Sequence, residues 1–575
     1  MLNSEIKEEM KKIAVKNAIE YGKARQSAVI SKILSKFPDL KANMKQLSEE
    51  AAEIVDRINS TDRRQLENDA ERYAEEFKRE DADRAERSAQ HKFELEGADI
   101  GRFVTRFPPE PNGYMQIGHA KAAWIEREFT DKYKGRMALY FDDTNPEKEK
   151  QEFVDAIRRD MKWLGIAYDT EYFSSDNIDI MYSYAEKLIE GGKAYVCSCT
   201  ADKIKEGRMQ GTRCVHKRQK IEKNIKLWRE MLNSNGGAEG MILRLNADLK
   251  DDNTTMRDPT LFRVKEGMHY RQGTKYSVWP TYFFNTPIVD SIKGITDVIR
   301  SKEFELVDEL YFYILDCLGL RKPRVHSIAR LEIKDNLTSK RKINDLIARG
   351  LLWGYDDPRL VTIAGLRRRG ILPAAIKSFV MRFGMSKNDS EVSIEMLLAE
   401  NRKLIDAISK HMFFVEKPVK VVVQGIPEDM RDIKIKLHPG TGMGYRRYRL
   451  SNTFFINMYD ASKLTKGAQI RLKDAFSIVV RYLDGNQITA EYIKDGSGND
   501  SAKVQWVNEG NYMACKIYEI KDLLAGDEFN SSSMIVKEGY IESHAESLDV
   551  GEVVQLERTG YFKLDNKDGF AFISL

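Results

Sequence analysis

The chain is short of cysteine, of net charge and of long apolar runs, and each shortage removes a class of protein. Five cysteines in 575 residues cannot form a disulfide framework, and three of them, Cys197, Cys199 and Cys214, cluster together. The 93 lysines and arginines are nearly matched by 89 aspartates and glutamates, for a formal net charge of +4. No single field dominates the surface, so any polyanion must be met by local patches. No apolar stretch is long enough to cross a bilayer, and the opening MLNSEIKEEMKK lacks the apolar core of an export signal. The expectation is a soluble, cytoplasmic protein without membrane contact. The usual phosphate cradles are missing too. Gly191-Gly192-Lys193 is followed by Ala194, so it is no Walker A loop and reads as a helix C-cap. GTGMG at 440–444 has the wrong spacing for a dinucleotide loop and reads as a turn between strands.

A chain of 575 residues exceeds one hydrophobic core, and four compositional regimes divide it. Residues 1–96 hold a single proline, Pro38, with Ile6, Met10, Ile13 and Val15 at helical spacing, which predicts an N-terminal helical extension. Its last part, RRQLENDAERYAEEFKREDADRAERSAQ, is so charged that it reads as an exposed helix or solvated linker. Over 97–330 short β-rich runs alternate with helical patterns, the pattern of a parallel sheet with crossover helices. Residues 331–412 return to helix. Over 413–575, runs such as VKVVVQG and SIVVRYLDG recur between turn signals such as Asp484-Gly485 and Asp495-Gly496, predicting antiparallel barrels or sandwiches. The fold class is therefore multidomain α/β plus all-β.

The segment TRFPPEPNGYMQIGHAKAAWIERE, 105–128, crowds prolines and a glycine between a predicted strand at 102–106 and a helix with Ile125, Phe129 and Tyr133 at four-residue spacing. A second strand, MALYF at 137–141, ends at Asp142-Asp143. In such a β-loop-α-β unit, ligands bind beyond the carboxyl ends of the strands, beside a helix N-terminus that favours anions.

Gln116-Ile117-Gly118-His119 resembles the His-Ile-Gly-His signature of class I aminoacyl-tRNA synthetases. The resemblance extends in order through RFPPEPNGY, YFDDTNP, MRDPTLFR, WPTYFF, DVIRSKEFE, LTSKRKI, YDDPRL and GLRRRG. Together these motifs resemble the glutamyl/glutaminyl branch, in its archaeal glutamyl form. The resemblance implies a Rossmann-like catalytic domain at 97–330 with an acceptor-stem-binding insertion at about 177–281, a helical subdomain at 331–412 carrying the SKRK loop, and anticodon-binding β-barrels at 413–575. It implies ATP as co-substrate with Mg2+, glutamate, and tRNA(Glu) with tRNA(Gln) as a further acceptor.

The implied residue roles follow the chemistry of adenylation, in which a carboxylate attacks the α-phosphate and charge builds on the phosphate oxygens and leaving pyrophosphate. His119 and Lys340 are the implied catalytic donors, with Gln116, Gly118 and Ser339 completing the ATP site. Gln116 departs from the family's histidine but keeps two N–H donors. Leu337, Thr338 and Arg341 likewise depart from its Lys-Met-Ser-Lys-Ser loop, in the manner of the glutaminyl and archaeal branch. For glutamate, Asp142 is the implied partner of the α-amino group, and Arg106, Tyr282 and Arg300 those of the side chain. Phe283 stands where the family usually has aspartate. An arginine at 300 accompanies glutamate in this family, where glutaminyl enzymes carry a neutral residue.

Cys197-Ser198-Cys199 and Cys214-Val215-His216 offer four soft ligands in two close pairs, the donor set of a structural zinc within the insertion. Cys317 and Cys515 read as ordinary buried residues. Arg359, GLRRRG and the segment TRCVHKRQKIEKNIK are candidate phosphate contacts. Residues 1–96 are a candidate surface for tRNA or for a partner synthetase. Three rival readings remain at this level: a glutaminyl enzyme, a cytidylyl-type nucleotidyltransferase, which would need neither the SKRK loop nor the β-rich tail, and a noncatalytic RNA-binding paralogue.

Overall fold

The computed structural model describes residues 4–21, 23–37, 40, 43–61, 65–66, 72–73, 77, 94–233, 238–485, 487–494 and 502–575. Two compact units divide the chain, Met1–Glu94 and Leu95–Leu575. Among the described residues, no helix is long and apolar enough to cross a membrane.

Among its described residues the first unit packs the helices α1 (Ser4–Tyr21), α2 (Gln26–Lys36) and α3 (Met44–Asn59). On α3, Leu47, Ala51, Ile54, Val55 and Ile58 are buried; their spacing puts them on one face, against Met10, Val15, Val29 and Ile33. Asn59 at the end of α3 brackets Ala24, accepting its N–H at 2.8 Å and donating to its carbonyl at 3.1 Å. The charged stretch read as an exposed helix or linker falls almost wholly outside the described residues, as does the Asp495-Gly496 turn.

The second unit begins with a parallel sheet. Strand β1 (Val104–Phe107) leads through the proline-rich loop into helix α4 (Ile117–Lys132), then β2 (Arg136–Phe141), helix α5 (Gln151–Leu164), β3 (Thr170–Phe173) and helix α6 (Ile178–Glu190). β2 pairs in parallel with β1 and β3. Its alternate side chains feed different cores. Met137, Leu139 and Phe141 join Ala120 and Trp124 of α4 and Ile157 of α5, whereas Tyr140 joins Ile178 and Met181 of α6. A strand covered on both faces has no polar side, which explains its unbroken apolar run. Gly191 caps α6 at its C-terminus.

An antiparallel sheet of β4 (Ala194–Cys197), β5 (Ile242–Leu245), β6 (Thr260–Val264) and β7 (Val278–Pro280) interrupts this pattern. The chain returns through helix α7 (Tyr282–Ile292) into the parallel pair β8 (Asp297–Ser301) and β9 (Arg324–Ile328). β8 is tied to β1, since Thr296 N–H donates to the Val104 carbonyl and Thr105 Oγ1 to that of Asp297, at 2.8 and 2.9 Å. The strand order thus reverses between β1 and β8, where a doubly wound sheet opens its ligand crevice.

Over residues 331–412 the regular structure is chiefly helix, beginning with α8 (Lys340–Ala348), with short strands at 331–333, 390–392 and 410–412. Three-residue strands are too short to show a period of two, so the helical reading missed them. Beyond them lie two seven-stranded sheets. In one, the edge strands are 410–412 and 414–416, separated only by Phe413; in the other they are 502–504 and 506–508, separated only by Gln505. Each sheet curls until its edges meet in one kinked strand, leaving almost no open edge. GTGMG connects the hairpin strands 432–436 and 445–449.

Candidate active site and metal cluster

The crevice opens at the start of α4. The Gln116 N–H donates to His119 Nδ1 at 3.0 Å, which leaves the ring proton of the neutral imidazole on Nε2. His119 is exposed to the cleft, yet the cleft walls desolvate it. That desolvation, and then the charges of Lys340 and Arg330, lower its pKa to about 4. It is therefore a neutral donor near pH 7. Gly118 has no steric need to be glycine, because a Cβ there would meet only the Leu331 carbonyl at 3.7 Å. The fold leaves that backbone face open to a ligand.

Lys340 is the first residue of α8, and Ser339 before it makes no side-chain capping bond. Burial and Lys148, opposed by Glu110, lower the Lys340 pKa. Its stem lies over Gly113, where a Cβ would come within 2.7 Å of Lys340 Cε and 3.2 Å of Nζ. Nothing in the local pattern of residues points to that contact. The amide of Gln116 donates to the Thr338 carbonyl at 2.9 Å, so the start of α4 holds the loop before Lys340.

Asp142, at the end of β2, accepts a hydrogen bond from Asn285 Nδ2 at 2.7 Å, and the same amide reaches Tyr140 Oη and Ser174 Oγ. Desolvation, then Glu110, raises the Asp142 pKa to about 7. Its neighbour Asp143 is structural, buried and held by Ser175 N–H and Oγ and by Tyr270 Oη. Across the crevice, Arg300 on β8 donates to Tyr282 Oη at 3.3 Å and pairs with Asp308. Its Nε is buried and meets no acceptor among the described residues. Arg106 lies deeper. It is 1% exposed, pairs with Asp290 through Nε and Nη2 at 2.8 and 3.2 Å, and donates to the Ile299 carbonyl. Desolvation opposes its charge, but Asp290 holds its pKa above the ordinary value. In this arrangement Arg106 supports the pocket from behind and touches no open space. Phe283 packs against the apolar core beside Tyr282.

Cys197, Cys199, Cys214 and His216 come together, with all four ligand atoms within 4.8 Å of one another. His216 Nδ1 lies 3.6 and 3.3 Å from the sulfurs of Cys197 and Cys199, and Nε2 lies 3.1 Å from Ser198 Oγ. One ring nitrogen faces the thiols while the other has a partner that fixes the ring. Asp258, with a left-handed φ of 47°, knots this region. It accepts from Tyr195 Oη on β4 and from the Lys217 ammonium beside His216, at 2.9 and 2.7 Å. The donor set and spacing fit a tetrahedral ion. Cys515 is buried, whereas Cys317 is only partly so.

The structure corrects the reading of the arginines as phosphate contacts. Arg359 is buried against Asp357 and donates to Ser533 Oγ; Arg368 pairs with Asp565 and Asp356; Arg369 reaches the Ser574 carbonyl; and Arg367 pairs with Asp160. Arg359, Arg368 and Arg369 bind the helical segment to the C-terminal β region, whereas Arg367 ties it to α5. In TRCVHKRQKIEKNIK, Lys217 is likewise buried with Asp258. A basic cleft does lie between the two β units, lined by His411, Lys434, Lys436, Arg471, Lys473 and Arg558 among others, with a volume near 690 Å³.

Residues 102–407 match the family model described as tRNA synthetases class I (E and Q), catalytic domain, and residues 409–494 and 503–565 match its two anticodon-binding domain models. The chain belongs to this family, and is thus an ATP-dependent aminoacyl-tRNA ligase. Its full-length relatives carry a narrower description. The glutamate–tRNA ligase of Nitrosopumilus maritimus is 37% identical over 99% of this chain and 100% of its own length. Those of Korarchaeum cryptofilum and Pyrococcus furiosus are each 35% identical, over 99% of both chains.

Proposed function

We propose that this chain activates glutamate with ATP and transfers the glutamyl group to the 3′-terminal adenosine of tRNA(Glu), and of tRNA(Gln) as well. The observation that carries this reading is Arg300, whose guanidinium stands beside Tyr282 with a buried Nε that meets no acceptor among the described residues. A substrate side-chain carboxylate supplies that acceptor and the charge a guanidinium prefers. Asp142, oriented by Asn285, holds the α-ammonium. The substrate's α-carboxylate then attacks the α-phosphate of ATP, releasing pyrophosphate and leaving glutamyl-adenylate. Gly118, His119, Ser339 and Lys340 are the residues that would hold ATP. The His119 Nε2–H and the Lys340 ammonium stabilise the growing phosphate charge; Mg2+, brought in with ATP, would supply further Lewis-acid stabilisation of that charge. In this reading residues 97–330 are the catalytic domain with its acceptor-binding insertion, 331–412 the helical subdomain, and 413–575 the anticodon-binding barrels. Glutamate- and tRNA-dependent ATP–pyrophosphate exchange tests the activity. Its absence with tRNA present would leave the chain as an RNA-binding paralogue.

The pocket predicts a pH dependence. With its pKa raised to about 7, Asp142 is increasingly protonated below that pH in the free enzyme, and a protonated carboxyl cannot pair with an ammonium. The kcat/KM for glutamate should therefore fall as pH drops through about 7, approaching roughly tenfold per pH unit, while the KM for ATP stays level. A level glutamate profile from roughly pH 5.5 to 8.5 would remove Asp142 from this role.

The cysteine–histidine cluster is assigned a structural zinc, because four protein ligands fill a tetrahedral ion and leave no open position. Protein purified without chelator should carry about one zinc per chain, and Cys199→Ser should release it. The expected damage falls on tRNA charging, through a loosened insertion, more than on adenylation. Metal analysis finding no zinc would return these residues to free thiols.

A further inference from the structure

Gln116 stands where the family signature has a histidine, and its side chain points away from that role. We propose that Gln116 is a positioning residue for Lys340: its amide clamps the loop before Lys340 onto the start of α4, and Gly113 provides the trough in which the lysine lies. The proposal rests on the adenylation reading above. The base of this clamp is rigid. The Gln116 N–H is held by His119 Nδ1, and its carbonyl accepts from His119 and Ala120 N–H at 2.9 and 3.1 Å. On either side, Ile117 N–H donates to the Val361 carbonyl and Ile363 N–H to the Met115 carbonyl, at 3.1 and 2.8 Å. A side chain on such a base acts as a fixed arm, and its Nε2 meets the Thr338 carbonyl at 2.9 Å.

The loop needs this hold at one place. Asn336 is anchored to the Arg359 carbonyl, and Leu337 is buried with Ile343 and Leu346. Ser339 opens α8. Thr338 and Ser339, between these anchors, are exposed, and Gln116 provides the side-chain bond to that stretch. Clamp and trough act on the same ammonium from two directions. The Gln116 bond fixes the backbone two residues before Lys340, while the missing Cβ at Gly113 admits the stem to within contact of the loop backbone. That bond commits one of the two Nε2 hydrogens of Gln116 to Thr338 and leaves at most one for phosphate. Relative to the family's histidine, this side chain gains a hold on the loop that carries the lysine.

The test is a pair of variants with two readouts: single-turnover adenylation, and hydrogen exchange of the amides at 337–342. Gln116→Ala should lower the adenylation rate about 3- to 10-fold, as expected for one net hydrogen bond, and speed exchange in that segment, with the KM for glutamate unchanged. Gln116→Asn keeps the amide but shortens the arm by one methylene, so it should behave like alanine. Gly113→Ala displaces only the flexible end of Lys340; it should lower the rate without altering exchange. Unchanged exchange in Gln116→Ala with a raised KM for ATP would make Gln116 a phosphate ligand and overturn the proposal, as would an unchanged rate. If the unmodified protein forms no adenylate with tRNA present, the proposed function fails. The exchange comparison would then still decide whether the clamp exists.

Discussion

Replacing Lys340 with alanine lowers the rate of adenylate formation on the order of 10²- to 10³-fold, the cost of removing one preorganised donor from a developing charge. The lysine is the first residue of α8, its stem lies over Gly113, and its charge faces His119 across the cleft mouth. That charge matters most as pyrophosphate departs, so the effect should fall on the chemical step. Binding of glutamate and tRNA should change little, since neither pocket contains the lysine. Single-turnover kinetics with saturating ATP check this. An undiminished rate would remove Lys340 from the chemistry.

Replacing Arg300 with glutamine abolishes most glutamate activation. Breaking a buried ion pair costs about 3–5 kcal/mol, or on the order of 10²- to 10⁴-fold in kcat/KM. Part of the loss comes from Asp308, which is left without its guanidinium and faces the incoming carboxylate. Glutamine, neutral in its side chain, meets less opposition in the altered pocket and should gain relative to glutamate. Arg106 cannot compensate, because its N–H groups are already directed to Asp290 and Ile299. Steady-state activation of both amino acids by the variant measures the shift. Glutamate activation close to that of the unmodified protein would show that another group reads the side chain.

Contiguity decided what could be read from the sequence. The helix start at Gln116–His119, the loop at Ser339–Lys340 and the two Cys/His pairs are short runs in which chemistry and spacing coincide, and each stands in the structure as a local cluster. The contacts that tune them join distant parts of the chain. Asn285 reaches Asp142 from 143 residues away, and Gln116 reaches Thr338 across 222. The arginines of GLRRRG displayed their charge in the sequence, but not the counter-charge: Asp565 lies 197 residues from Arg368. A basic run with its partner hidden at that distance looks like a free cationic surface. The partner of Arg106 was hidden in the same way, since Asp290 is 184 residues away. The kinks at Phe413 and Gln505 were illegible too, because a single-residue break leaves the alternation of a strand almost unchanged.

Charging assays with glutamate and glutamine on tRNA(Glu) and tRNA(Gln) decide whether this site selects glutamate and delivers it to tRNA. The unmodified protein should attach glutamate to tRNA(Glu) efficiently and to tRNA(Gln) as well, with glutamine a poor substrate on either. Refusal of tRNA(Gln) would narrow the acceptor range alone, whereas efficient transfer of glutamine would contradict the assignment of Arg300 and of the amino acid.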